Sequence, residues 1–202
     1  MIEGISITKK FGNNILFNNL NFKIYDGEFV CFSGPSGKGK TTLLNMIGMI
    51  EKYDEGKLLI DNVEYIKSFE KRKYFSDKVG FLFQNFALME NKTLLENLEI
   101  IKNKNRTNYT IEEVLQKVDI QDKVEHKIYT LSGGEQQRVA LARLFLKKCD
   151  IILADEPTGS LDSENVKKIM EIILELKKEG KTIVLVTHDE KIKAMADRVI
   201  PL

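Results

Sequence analysis

The chain is predicted to fold as an α/β protein on a mostly parallel sheet, with an N-terminal antiparallel β subdomain and an inserted α-helical subdomain. Three observations predict it. Short, continuously apolar runs recur along the chain, as expected of strands covered on both faces. Helical patterns alternate with those runs, which is the order of parallel strand–helix–strand units. The start of the chain and its middle break that alternation, the first being β-rich and the second helical.

Each element has its own local reason. Ile5 and Ile7 alternate, then Leu20, Phe22 and Ile24 do, and Asp26-Gly27 marks a turn. Phe29-Val30-Cys31-Phe32-Ser33 reads as a buried strand, a helix follows from about Lys40 to Ile50, and residues 57–66 read as another strand pair. Thr93-Leu94-Leu95-Glu96, Thr110-Ile111-Glu112-Glu113 and Ser132-Gly133-Gly134-Glu135 each fit the capping box, in which hydroxyl and carboxylate satisfy free amides at a helix start. With Ile111, Val114, Leu115 and Val118 at helical spacing, residues 86–148 read as the helical insertion. Ile151-Ile152-Leu153-Ala154 is a buried strand, and Asp162 caps a helix through Val166, Ile169, Met170 and Ile173 that stops at Gly180. Thr182-Ile183-Val184-Leu185-Val186 is the next buried strand, with a short helix after Asp189.

At 202 residues, with 43% apolar and 30% charged side chains, the composition is that of a soluble globular protein able to bury a core as one domain. A net charge of +1 gives no support to nonspecific nucleic-acid binding, which needs a basic face. Cys31 and Cys149 stand far apart beside apolar runs and read as buried thiols. No secretory signal appears, and no apolar run approaches the roughly 20 residues that span a bilayer. A cytoplasmic location follows, and any membrane work requires a membrane partner.

Gly34-Pro35-Ser36-Gly37-Lys38-Gly39-Lys40-Thr41 satisfies G-x-x-x-x-G-K-[ST] between a strand and a helix, the context of a phosphate-binding loop and a P-loop NTPase core. Its glycines let backbone amides curl around phosphate oxygens at a helix N-terminus. Lys40 would reach the β- and γ-phosphates, the Thr41 hydroxyl a Mg²⁺ ion, and Thr42 an α-phosphate oxygen. Asp155-Glu156 ends a buried strand: Asp155 would hold Mg²⁺ directly or through water, and Glu156 would polarise the attacking water.

Taken together, and above all through Leu131-Ser132-Gly133-Gly134-Glu135, these segments resemble the nucleotide-binding domain of the ATP-binding cassette family over nearly the whole chain. The resemblance implies ATP and Mg²⁺ as ligands and a homodimer or paired cassette on ATP binding, in which Ser132, Gly133, Gly134 and Glu135 complete the opposite subunit's site. It implies that Gln84 contacts Mg²⁺ or the attacking water and relays to a membrane partner. It further implies that Ser160-Leu161-Asp162 crosses the dimer interface and that His188 contacts the γ-phosphate. Phe11 stands where the family stacks a Tyr on adenine, with core packing the alternative; Lys38 occupies a position commonly Ser, and Ser160 one commonly Asn. The short interval from Lys40 to Ser132 leaves no room for the coiled coil of DNA-repair relatives.

The wording Asp155-Glu156-Pro157-Thr158-Gly159-Ser160-Leu161-Asp162 is similar to the lipoprotein-release, macrolide-export and antimicrobial-peptide-export group, and Phe83-Gln84-Asn85-Phe86-Ala87-Leu88 to bacteriocin-type exporters. From the chain's end soon after Ile200, the C-terminal regulatory domain of many importer cassettes is not expected. In that group cassettes sit on the inner face of the cell membrane through an integral permease-type subunit. Its coupling helices would dock beside Gln84, where Phe86, Leu88 and Met89 offer either apolar contacts or ordinary core packing. The expected function is ATP hydrolysis driving export or mechanotransmission for a peptide, antimicrobial or lipoprotein. The alternative is a cell-division-type cassette regulating a cell-wall hydrolase; a ribosome-acting cassette is disfavoured because those relatives fuse two copies.

Overall fold

The computed structural model describes residues 1–65, 68–159 and 161–202. Strands β1 (Ile2–Phe11), β2 (Asn14–Ile24) and β4 (Glu55–Ile60) form an antiparallel sheet in the order β2-β1-β4. Strands β3 (Phe29–Ser33), β5 (Val79–Leu82), β6 (Ile151–Asp155), β7 (Thr182–Val186) and β8 (Arg198–Pro201) form a second sheet, β5-β6-β7-β3-β8, every pair parallel. The helices are α1 (Lys40–Ile47), α2 (Ser68–Asp77), α3 (Leu94–Glu99), α4 (Ile111–Lys117), α5 (Gly133–Leu146), α6 (Ser163–Lys178) and α7 (Glu190–Lys193).

Solidly apolar strands make sense once their two faces are followed. In β3, Phe29 and Cys31 join one core while Val30 and Phe32 join the other, as the two-residue period requires. β6 divides in the same way, Ile152 and Ala154 against Ile151 and Leu153, and so does β7, Ile183 and Leu185 against Val184 and Val186. One core packs α5, α6 and the shorter helices; the other packs α1 and the antiparallel sheet. Phe29, Val30 and Phe32 are wholly buried, each worth about 1.5–3 kcal/mol of apolar transfer. Cys31 and Cys149 are buried free thiols whose pKa burial pushes up.

The predicted helix starts hold in detail. Thr93, Thr110 and Ser132 each form a complete capping box with the glutamate three residues on. Asp162 caps α6 by accepting from the amides of Glu164 and Asn165, and Gly180 (φ 86°) ends it, with Lys181 N donating to Leu176 O and Gly180 N to Lys177 O.

Several expectations are corrected. Ile5 and Ile7 do not share a face: Ser6 takes a φ of 51°, the β1 register shifts there, and Ile5 is 39% exposed while Ile7 is buried. α1 stops at Ile47 rather than Ile50, because Met49 turns left-handed (φ 58°), its amide donating to Met46 O and that of Ile50 to Asn45 O. The segment from 57 holds one strand, β4, followed by a tight turn that bridges Ile60 to Val63; Ile66 lies outside the described residues. α2, β5 and β8 were not expected from the sequence. No helix among the described residues is long and apolar enough to cross a membrane.

Candidate active site

β3 delivers the phosphate loop to the carboxyl end of the parallel sheet, where ligands bind in open α/β folds. Gly37 and Gly39 take left-handed φ values of 79° and 85°, which curls the loop. α1 then begins at Gly39 without a side-chain cap, leaving its first amides directed at the loop's hollow. Lys40 is 6% exposed, and its Nζ donates to the Gly34 (2.7 Å) and Pro35 (3.0 Å) carbonyls. No carboxylate pairs with this ammonium within 4.0 Å among the described residues, so its charge is available to an anionic ligand.

The loop walls a cavity of about 300 Å³. Ser36, Gly37, Gly39, Lys40, Thr41 and Thr42 line one side; Gln84, Asp155, Glu156 and His188 line the other. Phe11 stands at the mouth, half exposed, so the core-phenylalanine alternative is excluded. The Lys9 ammonium sits 4.6 Å from the Phe11 ring centroid, held by Glu51 and the Lys52 carbonyl. Gly34, Pro35 and Lys38 do not line the cavity: the first two serve through their carbonyls on Lys40, and Lys38 is exposed.

The Thr41 hydroxyl donates to Asp155 Oδ1 at 3.1 Å, which joins the loop to the end of β6. Burial raises the Asp155 carboxyl pKa, against the pull of Thr41 and Lys40. Hydroxyl and carboxylate oxygens are the hard donors a Mg²⁺ ion accepts beside phosphate oxygens, so the residues fit that ion. Glu156 holds a left-handed φ of 45°, with its amide donating to Val186 O. Such strain in a non-glycine residue costs on the order of 1 kcal/mol or more and turns the carboxylate into the cavity. Its Oε1 is buried without a hydrogen-bond partner among the described residues, 3.4 Å from His188 Nε2, close but not aligned. An unsatisfied carboxylate oxygen beside an exposed imidazole is suited to accept a proton from a water held between substrate and protein.

Ser132, Gly133, Gly134 and Glu135 do not line this cavity. The Ser132 Oγ accepts from Glu135 N (3.3 Å), and Glu135 Oε2 accepts from Ser132 N (2.7 Å), a contact that lowers the Glu135 pKa. Ser132 and Gly133 face solvent, whereas Gly134 is buried: a Cβ there would stand 2.5 Å from Asn165 Oδ1. Gly134 is thus a glycine for the sake of α6 within its own chain. Ser160 lies outside the described residues. Phe86 and Leu88 pack partly against the core, while Met89 is 40% exposed. Sequence reasoning missed Leu16 and Val186 in the cavity wall and Lys9 beneath Phe11; the spacing of Lys9 two residues before Phe11 on one strand face was the available signal.

Comparisons with known proteins agree with this geometry. Residues 17–159 match the family model described as ABC transporter. MJ0796, an uncharacterised ABC transporter ATP-binding protein of Methanocaldococcus jannaschii, is 40% identical across all of this chain and 92% of its own length. The lipoprotein-releasing system ATP-binding protein LolD of Bacteroides fragilis is 38% identical over 99% of this chain and 96% of its own. The macrolide export ATP-binding/permease protein MacB of Campylobacter jejuni is 39% identical over 98% of this chain, which spans 32% of MacB. The dimeric structure of MJ0796 superposes with a TM-score of 0.88 at 41% identity, covering all of this chain and 94% of that one. Its post-hydrolysis dimer bound to ADP and Pi gives 0.86 at 39% identity with the same coverage. The chain belongs to the ABC transporter family and is its ATP-binding cassette, an ATPase.

Proposed function

We propose that the chain powers an export or mechanotransmission complex for a peptide, antimicrobial or lipoprotein cargo, working as one cassette with residues 86–148 as its helical subdomain. The observation that carries this reading is the division of the site: one cavity gathers Lys40, Thr41, Gln84, Asp155, Glu156 and His188, while the exposed Ser132-Gly133 tip of the same chain stays outside it. A half-site of each kind on one chain calls for a second copy arranged head to tail.

The mechanism follows from the residues. Loop amides, Lys40 and Thr42 bind the phosphates, and Phe11 stacks on adenine. Thr41, Asp155 and Gln84 would hold Mg²⁺, which when bound neutralises charge between the phosphate oxygens. Glu156 accepts the proton of the attacking water, and His188 beside it orients the γ-phosphate. The partner's serine–glycine tip closes over the γ-phosphate and makes hydrolysis depend on dimerisation.

The chain is peripheral to the membrane in this reading, docked through a permease-type subunit. A groove of about 260 Å³ supports it: Phe75, Phe81, Phe83, Ala87 and Ile100 line it next to the Gln84 turn. The Phe81 and Phe83 rings stack at 5.0 Å there, presenting apolar area. Affinity purification of the tagged chain from detergent-solubilised membranes tests this. An integral membrane subunit with an extracytoplasmic domain, lost on Ala87→Glu, is expected. Recovery from the aqueous fraction with no membrane protein contradicts it, and a cell-wall hydrolase regulator as companion supports the cell-division alternative instead.

A further inference from the structure

Two cations, Arg143 on α5 and Lys147 at its C-cap, have carbonyl partners where ion pairs would be usual. Arg143 donates from Nη1 to the Ala87 carbonyl and from Nη2 to the Phe86 carbonyl, both at 2.8 Å. One turn later, Lys147 Nζ donates to the Phe75 carbonyl (2.6 Å) and to that of Val79. β5, which leads into Gln84, runs between these anchor points, so α5 and its C-cap residue fasten the strand at both ends. Burial lowers the pKa of both cations.

The turn that Arg143 grips is strained. Phe86 and Ala87 have φ values of 60° and 46°, two successive non-glycine residues in the left-handed region. Such a pair persists only when its surroundings over-determine it. Two short bonds close the turn from within, Phe86 N to Phe83 O and Ala87 N to Asn85 O, and the guanidinium fork ties it to the helix from outside. A planar fork fixes two carbonyls in one geometry, which a lysine ammonium cannot do.

We propose that Arg143 is a positioning residue for Gln84: it holds the 84–87 turn against the helix whose other end carries Ser132. From Ser132 to Arg143 the helix axis rises roughly 16 Å, so movement of the tip by a second subunit reaches the Gln84 turn through a single rigid element. The proposal rests on the reading of Gln84 as a Mg²⁺- or water-facing residue given above.

The test is a double-mutant cycle on the full chain, measuring kcat for ATP, the half-saturating Mg²⁺ concentration and the affinity for a fluorescent ATP analogue. Arg143→Met is expected to lower kcat about ten- to a hundredfold, as small displacements of a positioning group do. It should also raise the Mg²⁺ requirement while leaving analogue affinity within about twofold. Arg143→Lys should recover part of the loss and carries the cycle if Arg143→Met fails to fold. Combined with Gln84→Ala, either Arg143 variant should be no slower than Gln84→Ala alone, because both act through one group. Losses that multiply, or an Arg143→Met enzyme at wild-type kcat beside a slow Gln84→Ala, overturn the proposal and leave the reading of Gln84 intact. Gln84→Ala at wild-type rate overturns both.

Discussion

α1 and α5 both begin at glycines, one in the phosphate loop and one in the Ser132–Glu135 segment, yet they begin in opposite ways. α1 starts after Gly39 with no side-chain cap, and among the described residues the buried Lys40 ammonium beside it has only carbonyls for partners. α5 starts after Ser132 in a complete capping box, with Glu135 already spent on the Ser132 amide. The first end is electrostatically incomplete within its own chain and needs an anion. The second is locally satisfied and exposed, so its serine–glycine tip does nothing for this chain that a simpler cap would not do. Incompleteness on one side and surplus on the other is what a site shared between two copies requires.

The comparison is broken most severely at Glu156. Glu156→Gln keeps the shape of the α1 side but removes the base, so ATP binding should persist while phosphate release falls about 10²–10⁴-fold. Wild-type turnover in that variant would remove Glu156 from its role. Lys40→Met strikes the incomplete helix start itself. Loss of charge-assisted bonds to phosphate should weaken ATP binding about ten- to a hundredfold, read by equilibrium titration, with the melting temperature little changed. A smaller effect is expected at the cavity mouth. Phe11→Leu removes a stacking face worth about 0.5–1.5 kcal/mol, so KM should rise about two- to tenfold with kcat unchanged.

The smallest effect concerns stability. Burial raises the folded-state pKa of Asp155, so the folded chain binds that proton more tightly than the unfolded chain does. Stability therefore falls as pH rises from the ordinary carboxylate range through the raised value, and the cost persists at neutral pH. Asp155→Asn should melt at a higher temperature than wild type at pH 7, with the gain vanishing in acid. A lower melting temperature at pH 7 would show that the Thr41 and Lys40 contacts outweigh burial.

What could be read from the sequence was local. Thr93, Thr110 and Ser132 announce their helices because each cap is closed by a residue three positions on. The phosphate loop is likewise one contiguous segment. What could not be read depends on distant neighbours. β5 is four residues long and interrupted by Gly80, a glycine because Leu144 of α5 would stand 2.5 Å from its Cβ. α2 carries charged residues with Phe69 and Phe75 exposed, so no apolar stripe marks it. The bulge at Ser6 leaves no local trace; its amide is met by Asn21 from the neighbouring strand. The Arg143 grip joins residues far apart in sequence and is invisible until the chain is folded.

Mixing two inactive variants measures the shared site most directly. Lys40→Met has an intact Ser132 tip and a crippled phosphate loop; Ser132→Arg has the reverse. Each alone should hydrolyse ATP at background rate, and an equimolar mixture should recover at most about a quarter of wild-type turnover, since half the dimers are mixed and each mixed dimer holds one good site. No recovery in a mixture shown by cross-linking to contain mixed dimers, or full activity of Ser132→Arg by itself, would mean that each chain completes its own site.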